Sequence, residues 1–310
     1  MAIVKTDVPM TSKLLNKTID ELLRTYPSLS SETLTTTAFG RPLRTLRIGS
    51  GDRKVIFTAA HHANEWITAP VILKFMEELA EALRTGGTIW GVKAETIAKY
   101  TTIHTLPMVD PDGVDLVTGA IEPGTLEYET ALRLADNYPK ISFPDGWKAN
   151  LLGVDLNLQY PAGWLQAREI KFSQGFTKPG PRDYVGRSPL NQRESIALAQ
   201  WTEAIDPALV LAYHTQGEVI YWQFQDYAVP GARELGEEFA RISGYELADV
   251  PYESAFAGYK DWFIQTFRRP GYTIEVGRGE SPLPLSQFDE IYRKNLGILV
   301  TAALGLPGGV

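Results

Sequence analysis

His62 and Glu65 stand three residues apart in the run His61-His-Ala-Asn-Glu-Trp66. In a turn or a first helical turn, side chains at that spacing converge on one point. A neutral imidazole nitrogen and a carboxylate are compact N and O donors that suit Zn²⁺. The pattern is His-x-x-Glu, not the His-Glu-x-x-His of a zinc-protease helix, and Trp66 follows the glutamate. The same two residues also suit an ordinary histidine paired with its acidic neighbour, so a third ligand has to decide. His214 is the best third ligand, since it ends the apolar run Val210-Leu-Ala-Tyr213 and precedes the small polar stretch Thr215-Gln-Gly217. Glu275 likewise closes the apolar stretch from Gly271, where a charge is costly unless it pairs, with Arg278 for instance, or works. Asp155, in Gly153-Val-Asp, suits a carboxylate that accepts the second ring N–H of a metal-bound histidine. His61, expected to face away from His62, and His104, inside an alternating strand, read as structural.

These residues need elements that deliver them to one place. Val55, Ile56 and Phe57 predict a buried strand over 54–60, and apolar residues at Val71, Ile72, Phe75, Met76 and Leu79 predict a helix over 68–84. Polar side chains where a strand hands over to a helix sit at the edge of an α/β sheet, where ligands bind. Further strands are expected at 101–107, 153–157, 208–213, 218–224 and 271–276, with a hairpin at Gly40-Arg41 joining 32–39 to 42–48. Helices are expected from Thr18 to before Pro27, near 128–135, from a capping box at Asn191 to Ala204, at 230–242 and 261–267, and from Ser286 to Leu304. Asp110-x-Asp-Gly-x-Asp115 lacks the closing glutamate of a calcium loop and reads as a turn. Residues 118–150 are rich in Gly, Pro and Asp, a loop long enough to be functional or an insertion. With no repeat or composition break, the expectation is one α/β domain over 1–310 with a mixed sheet, residues 1–14 forming an irregular arm.

Composition sets the remaining bounds. The 310 residues, 44% hydrophobic, suffice for a large core. There is no cysteine, which excludes disulfides and thiolate metal sites. A formal charge of −7 argues against a general nucleic-acid or anionic-membrane binder, and no apolar run reaches membrane-spanning length. The opening Met-Ala-Ile-Val-Lys-Thr-Asp lacks the layout of a signal peptide, so the expected setting is cytoplasmic, with cell-wall or spore association open.

In order along the chain, His62-x-x-Glu65, Trp147-Lys-Ala-Asn150, Gly153-Val-Asp-Leu-Asn157, His214, Asp261-Trp262 and Thr273-Ile-Glu-Val resemble the zinc carboxypeptidases, the carboxypeptidase A-like metallopeptidases, from about residue 15 to 305. The resemblance implies a mixed eight-stranded sheet between helices. It also implies one Zn²⁺ held by His62, Glu65 and His214, with Glu275 as general base. Where the family has arginine after tryptophan, to stabilise the oxyanion, this chain has Lys148, a point charge without a bidentate fork.

Departures from the family bear on substrate. Its exopeptidases hold a C-terminal carboxylate with an Asn-Arg pair. Here Asn157 is followed by Leu158, which removes the clamp. Lys260 falls where the family's side-chain pocket sets specificity, and Arg278 lies close to Glu275, so both are expected to bind an anionic substrate. Tyr252 is the candidate for the family's mobile-loop tyrosine, with Tyr259 its competitor. These features, with Ser281-Pro-Leu-Pro-Leu-Ser-Gln-Phe288, are similar to the branch of γ-D-glutamyl-meso-diaminopimelate peptidases, which cut stem peptides of peptidoglycan. The expected partners are therefore muropeptides. Branch members often carry wall-binding repeats, which this chain lacks. The alternatives are a conventional carboxypeptidase for acidic C-termini and a silent wall-peptide binding module with structural zinc.

Overall fold

Side chains alternate faces along a strand, and the chain uses both faces of its central strands. Val55, Phe57, Leu209, Leu211 and Tyr213 enter one core, whereas Ile56, Val210 and Ala212 enter another on the opposite side. Strands buried on both faces read as continuous apolar runs, which is the pattern at 55–57 and 209–213.

The computed structural model describes residues 2–306. It contains an eight-stranded mixed sheet in the order Leu29–Ser30, Leu46–Ile48, Thr101–Leu106, Arg53–Ala59, Leu209–His214, Gly271–Glu275, Val219–Tyr221 and Glu246–Ala248. The middle four run parallel, so their C-terminal ends share one edge. Helices Ser12–Thr25, Thr68–Thr85, Ala232–Ser243 and Phe288–Leu304 supply the first core. Trp164–Ser173, Arg193–Ile205 and Tyr259–Phe267 supply the second. Each fully buried large apolar side chain, such as Phe57, Phe75 or Phe263, contributes about 1.5–3 kcal/mol of transfer free energy. No helix among the described residues is long and apolar enough to cross a membrane.

Several elements differ from expectation, each for a local reason. The first helix starts at Ser12 because Thr11 caps it, its hydroxyl accepting from the Leu14 N–H at 3.1 Å. Pro111-Asp-Gly113 is not a turn but the start of the helix Pro111–Val117, capped by Asp110 through the Gly113 N–H. The letters of a turn and of a capped, proline-led helix start coincide. Asp112 and Asp115 of that helix are buried against Arg41 at 3.0 and 2.7 Å. Residues 153–157 form no strand. Gly153, at φ +73°, approaches Gly180 so closely that a Cβ would lie 2.6 Å from the Gly180 nitrogen, and a single 3₁₀ turn, Leu156–Leu158, follows. Neither Asn191 nor Ser286 caps a helix; those helices begin at Arg193 and Phe288 without a side-chain cap. The helix Trp164–Ser173 and the edge strand Glu246–Ala248 carry too little periodic signal to be foreseen.

Candidate metal centre

The strand Arg53–Ala59 stops where Ala60 turns into the left-handed region, at φ +47°. Thr68 locks the loop beyond it: its hydroxyl accepts from the Ala60 N–H at 2.9 Å and donates to the Glu65 carbonyl at 2.7 Å. The 3₁₀ turn Ala63–Glu65 then brings Glu65 and His62 together, Oε1 lying 2.9 Å from Nδ1. His214 arrives from the end of its own strand, with Nδ1 2.9 Å from Glu65 Oε2 and 3.3 Å from His62 Nδ1. One donor atom from each of His62, Glu65 and His214 lies within 4.8 Å of the others.

This donor set fits zinc. Two imidazole nitrogens face one another at hydrogen-bond distance beside a buried carboxylate, a crowding of lone pairs that a small divalent cation relieves. The electrostatics select a cation as well. Burial disfavours a charged His62, but Glu65 and Asp155 outweigh it and push its pKa up to about 10. Burial would raise Glu65, yet His62, Lys148 and His214 hold it well below the usual carboxylate range. Asp155 behaves alike: burial opposes its charge, while His62 keeps it ionised. Its Oδ1 sits 3.1 Å from His62 Nε2, the contact expected of a carboxylate that orients a metal-bound imidazole. His61 and His104 take no part. His61 is fully buried and stacks on the His214 ring at 5.3 Å, and His104 meets the edge of Trp201.

A cavity of about 230 Å³ opens over these residues. Glu275 faces it from the neighbouring parallel strand, directly in register with His214. Burial and the Glu65 charge raise its pKa to about 8, with Lys148 and His62 acting the other way. Lys148 lines the same cavity with Nζ 2.8 Å from Glu65 Oε1. Asn157 and Leu158 lie on the wall, and Asn157 Oδ1 is already used, accepting from the Tyr259 N–H at 3.1 Å.

Three substrate-binding expectations change. Lys260 does line the cavity, but Nζ donates to the Gln223 carbonyl at 2.7 Å and pairs with Asp261. It therefore presents a compensated ion pair rather than a free cation. Arg278 lies away from the cavity lining, because the chain turns at Gly277, φ +70°, and its guanidinium pairs with Glu218 at 2.6 Å. Tyr252 is 61% exposed, packs edge-on against Phe256 and lines a separate, neighbouring hollow. Its competitor Tyr259 is fully buried, with its hydroxyl bonded to Thr202 at 2.8 Å.

Sequence reasoning missed a charged group on the far wall: Lys171, Arg182 and Asp183. Asp183, at φ +64°, receives Lys171 Nζ at 2.7 Å and Arg182 Nε at 2.7 Å, and its own N–H donates to Asp155 Oδ2 at 3.2 Å. The Pro- and Gly-rich run 176–183 was the available signal, as such a stretch positions charges by turns rather than by periodicity. Backbone pairing places the group: the N–H groups of Lys148 and Ala149 both donate to the Pro181 carbonyl, at 2.7 and 2.9 Å.

The model of the family described as zinc carboxypeptidase matches residues 15–297. The chain is 44% identical over 284 residues to Gamma-D-glutamyl-L-diamino acid endopeptidase 1 of Lysinibacillus sphaericus, spanning 91% of this chain and 69% of that protein. It is 36% identical over 287 residues to YqgT of Bacillus subtilis (strain 168), spanning 92% and 74%. Among solved structures, thrombin activatable fibrinolysis inhibitor superposes with a TM-score of 0.73 at 16% identity, over 98% of this chain and 76% of that one, a likeness of fold. With its ligand triad, its eight-stranded mixed sheet and the family match over most of its length, this chain belongs to the zinc carboxypeptidase family.

Proposed function

We propose that this protein is a zinc-dependent peptidase that hydrolyses the amide between the γ-carboxyl of D-glutamate and the amine of a diamino acid, of the diaminopimelate type, in peptidoglycan stem peptides. The observation that carries the reading is the His62–Glu65–His214 cluster at the base of a cavity that Glu275 faces. The endopeptidase activity in the name of the Lysinibacillus relative supports the bond assignment. Leu158 supports it too, because position 158, beside Asn157, carries no guanidinium of the kind with which the family's exopeptidases hold a C-terminal carboxylate.

Bound in this cluster, zinc supplies Lewis acidity toward water and toward the scissile carbonyl. Glu275 accepts a proton from the attacking water and hands it to the leaving nitrogen. Its half-buried setting suits both steps, since a general base works best with a pKa near the working pH. Asp155 keeps the His62 ring turned so that Nδ1 points into the cluster. Lys148 places positive charge beside the carbonyl oxygen as it becomes an oxyanion. The paired Lys260 and Asp261 offer one charge of each sign to the leaving side, a match for the amine and carboxylate at the far end of a diamino diacid.

The test is product analysis by mass spectrometry on L-Ala-γ-D-Glu-meso-diaminopimelate, with and without chelator. Release of the diamino acid that stops on chelation is expected. A zinc-loaded protein that leaves this peptide intact while cutting α-linked peptides from a free C-terminus would refute the assignment in favour of a conventional carboxypeptidase.

A further inference from the structure

A second cavity, of about 540 Å³, adjoins the first, and the two share Lys148, Arg182 and Thr215 as a common wall. The first holds Asn157 and the Lys260–Asp261 pair, on the side assigned above to the leaving diamino acid. The second therefore lies toward the acyl side of the scissile bond.

Two features of this second cavity lack protein partners. Arg182 is fixed through Nε, bonded to Asp183, so its two terminal nitrogens make no hydrogen bond or ion pair among the described residues. Asn64 is 3% exposed, and its Oδ1 has no partner even though its Nδ2 donates to the Asp145 carbonyl at 3.1 Å. A fixed guanidinium with free donors takes a carboxylate bidentately, and a buried orphan acceptor takes an N–H. Lys148 does not duplicate Arg182, because its ammonium is engaged on Glu65.

Resting on the function proposed above, we infer that this cavity is the glutamyl subsite, with Arg182 binding the free α-carboxylate of the γ-linked residue and Asn64 Oδ1 accepting its N–H. In a γ-linked glutamyl unit both groups sit on one carbon, separated from the scissile carbonyl by two methylenes. An α-linked peptide carries no carboxylate at that position, so Arg182 reads the linkage itself. Asp183 is a positioning residue: held by Lys171 and donating to Asp155, it ties the guanidinium to the orientation of His62.

The experiment compares L-Ala-γ-D-Glu-meso-diaminopimelate with the peptide whose glutamyl α-carboxylate is an amide. With the holoenzyme, Arg182→Gln is expected to lower kcat/KM for the acid about 100-fold, through KM, and for the amide by no more than about threefold. Arg182→Lys should recover part of the acid's advantage. Calorimetric titration of both peptides into Glu275→Gln holoenzyme, with and without Arg182→Gln, reads the same preference in Kd. An equal loss for both peptides, or a kcat loss with KM unchanged, would overturn the inference and make Arg182 a scaffold or oxyanion residue. Should the wild type cut neither peptide, the proposed function falls. The binding arm would still decide the subsite, since no Arg182-dependent preference for the acid would sink it separately.

Discussion

Glu275 and Arg182 face the same cavity from supports of different kinds. Glu275, like His214, terminates a strand buried on both faces and locked in register with its neighbour. Arg182 hangs from a loop anchored by backbone bonds to another loop, Pro181 to Lys148 and Ala149, Gly180 to Gly153, and Tyr184 to Asp155. The strand ends, with the 3₁₀ turn Ala63–Glu65 locked just beyond one of them, supply groups that must not move, the metal ligands and the proton carrier. The zipped loops supply groups that meet the substrate. Displacing a strand end disrupts the core, whereas displacing the loops costs only a few hydrogen bonds, each about 0.5–1.5 kcal/mol net.

The comparison breaks most visibly at Glu275. Glu275→Gln should leave zinc content unchanged and lower kcat about 10³–10⁴-fold, measured on the stem peptide under saturating conditions. Retained activity would mean that the strand-end carboxylate is not the proton carrier. On the loop wall, Lys148→Ala should cost about 10²–10³-fold in kcat, again with zinc retained. A loss as large as that of Glu275→Gln would mean that the two walls are equally central to the chemistry.

That division also explains what could be read from the chain before its fold was known. His62, Glu65, His214 and Glu275 are announced by apolar runs that end abruptly in a polar residue, a signal local to a few positions. The central parallel strands and the long helices follow from the same periodicity. Arg182 and Asp183 have no such signal, since their place depends on contacts with residues more than twenty positions away. Lys260 lines the cavity, as its place in the chain implies, but its pairing with Asp261 is not legible, because Asp261 reads in the sequence as the start of the following helix. Arg278 was placed by its distance in sequence from Glu275, which a left-handed glycine between them made irrelevant.

Asp155 joins the two supports, bonded to His62 on one side and to the Asp183 N–H on the other. Asp155→Asn should weaken zinc affinity about 10–100-fold, measured by competition with a chromophoric chelator. Unchanged affinity would show that His62 is oriented by its own strand-end loop and that the two walls are independent.

The smallest effect sharpens the contrast through pH. Glu194 is 2% exposed at the start of the helix beneath the loop wall, and burial, with Asp112 adding to it, raises its pKa to about 7. In the unfolded chain the same group titrates near 4.5. Between those values the folded protein holds a proton that the unfolded chain has released, so stability is full below about 4.5 and falls as pH rises toward 7. The ceiling of that loss is about 3 kcal/mol at one pKa unit per 1.36 kcal/mol, and relaxation around the group should reduce it to about 1–2 kcal/mol. Glu194→Gln removes the titration, so denaturant melts at pH 8 should show the variant more stable than the wild type, with the gap closing at pH 4.5. Because the Asn150 side chain donates to Gln192 Oε1 at 2.9 Å, two residues before Glu194, the wild type should also exchange amide hydrogens faster than Glu194→Gln over 148–155 above pH 7, while those of 209–214 stay protected. Equal acceleration in both segments would mean that the loop wall and the strand ends open as one unit, and the distinction between their supports would fail.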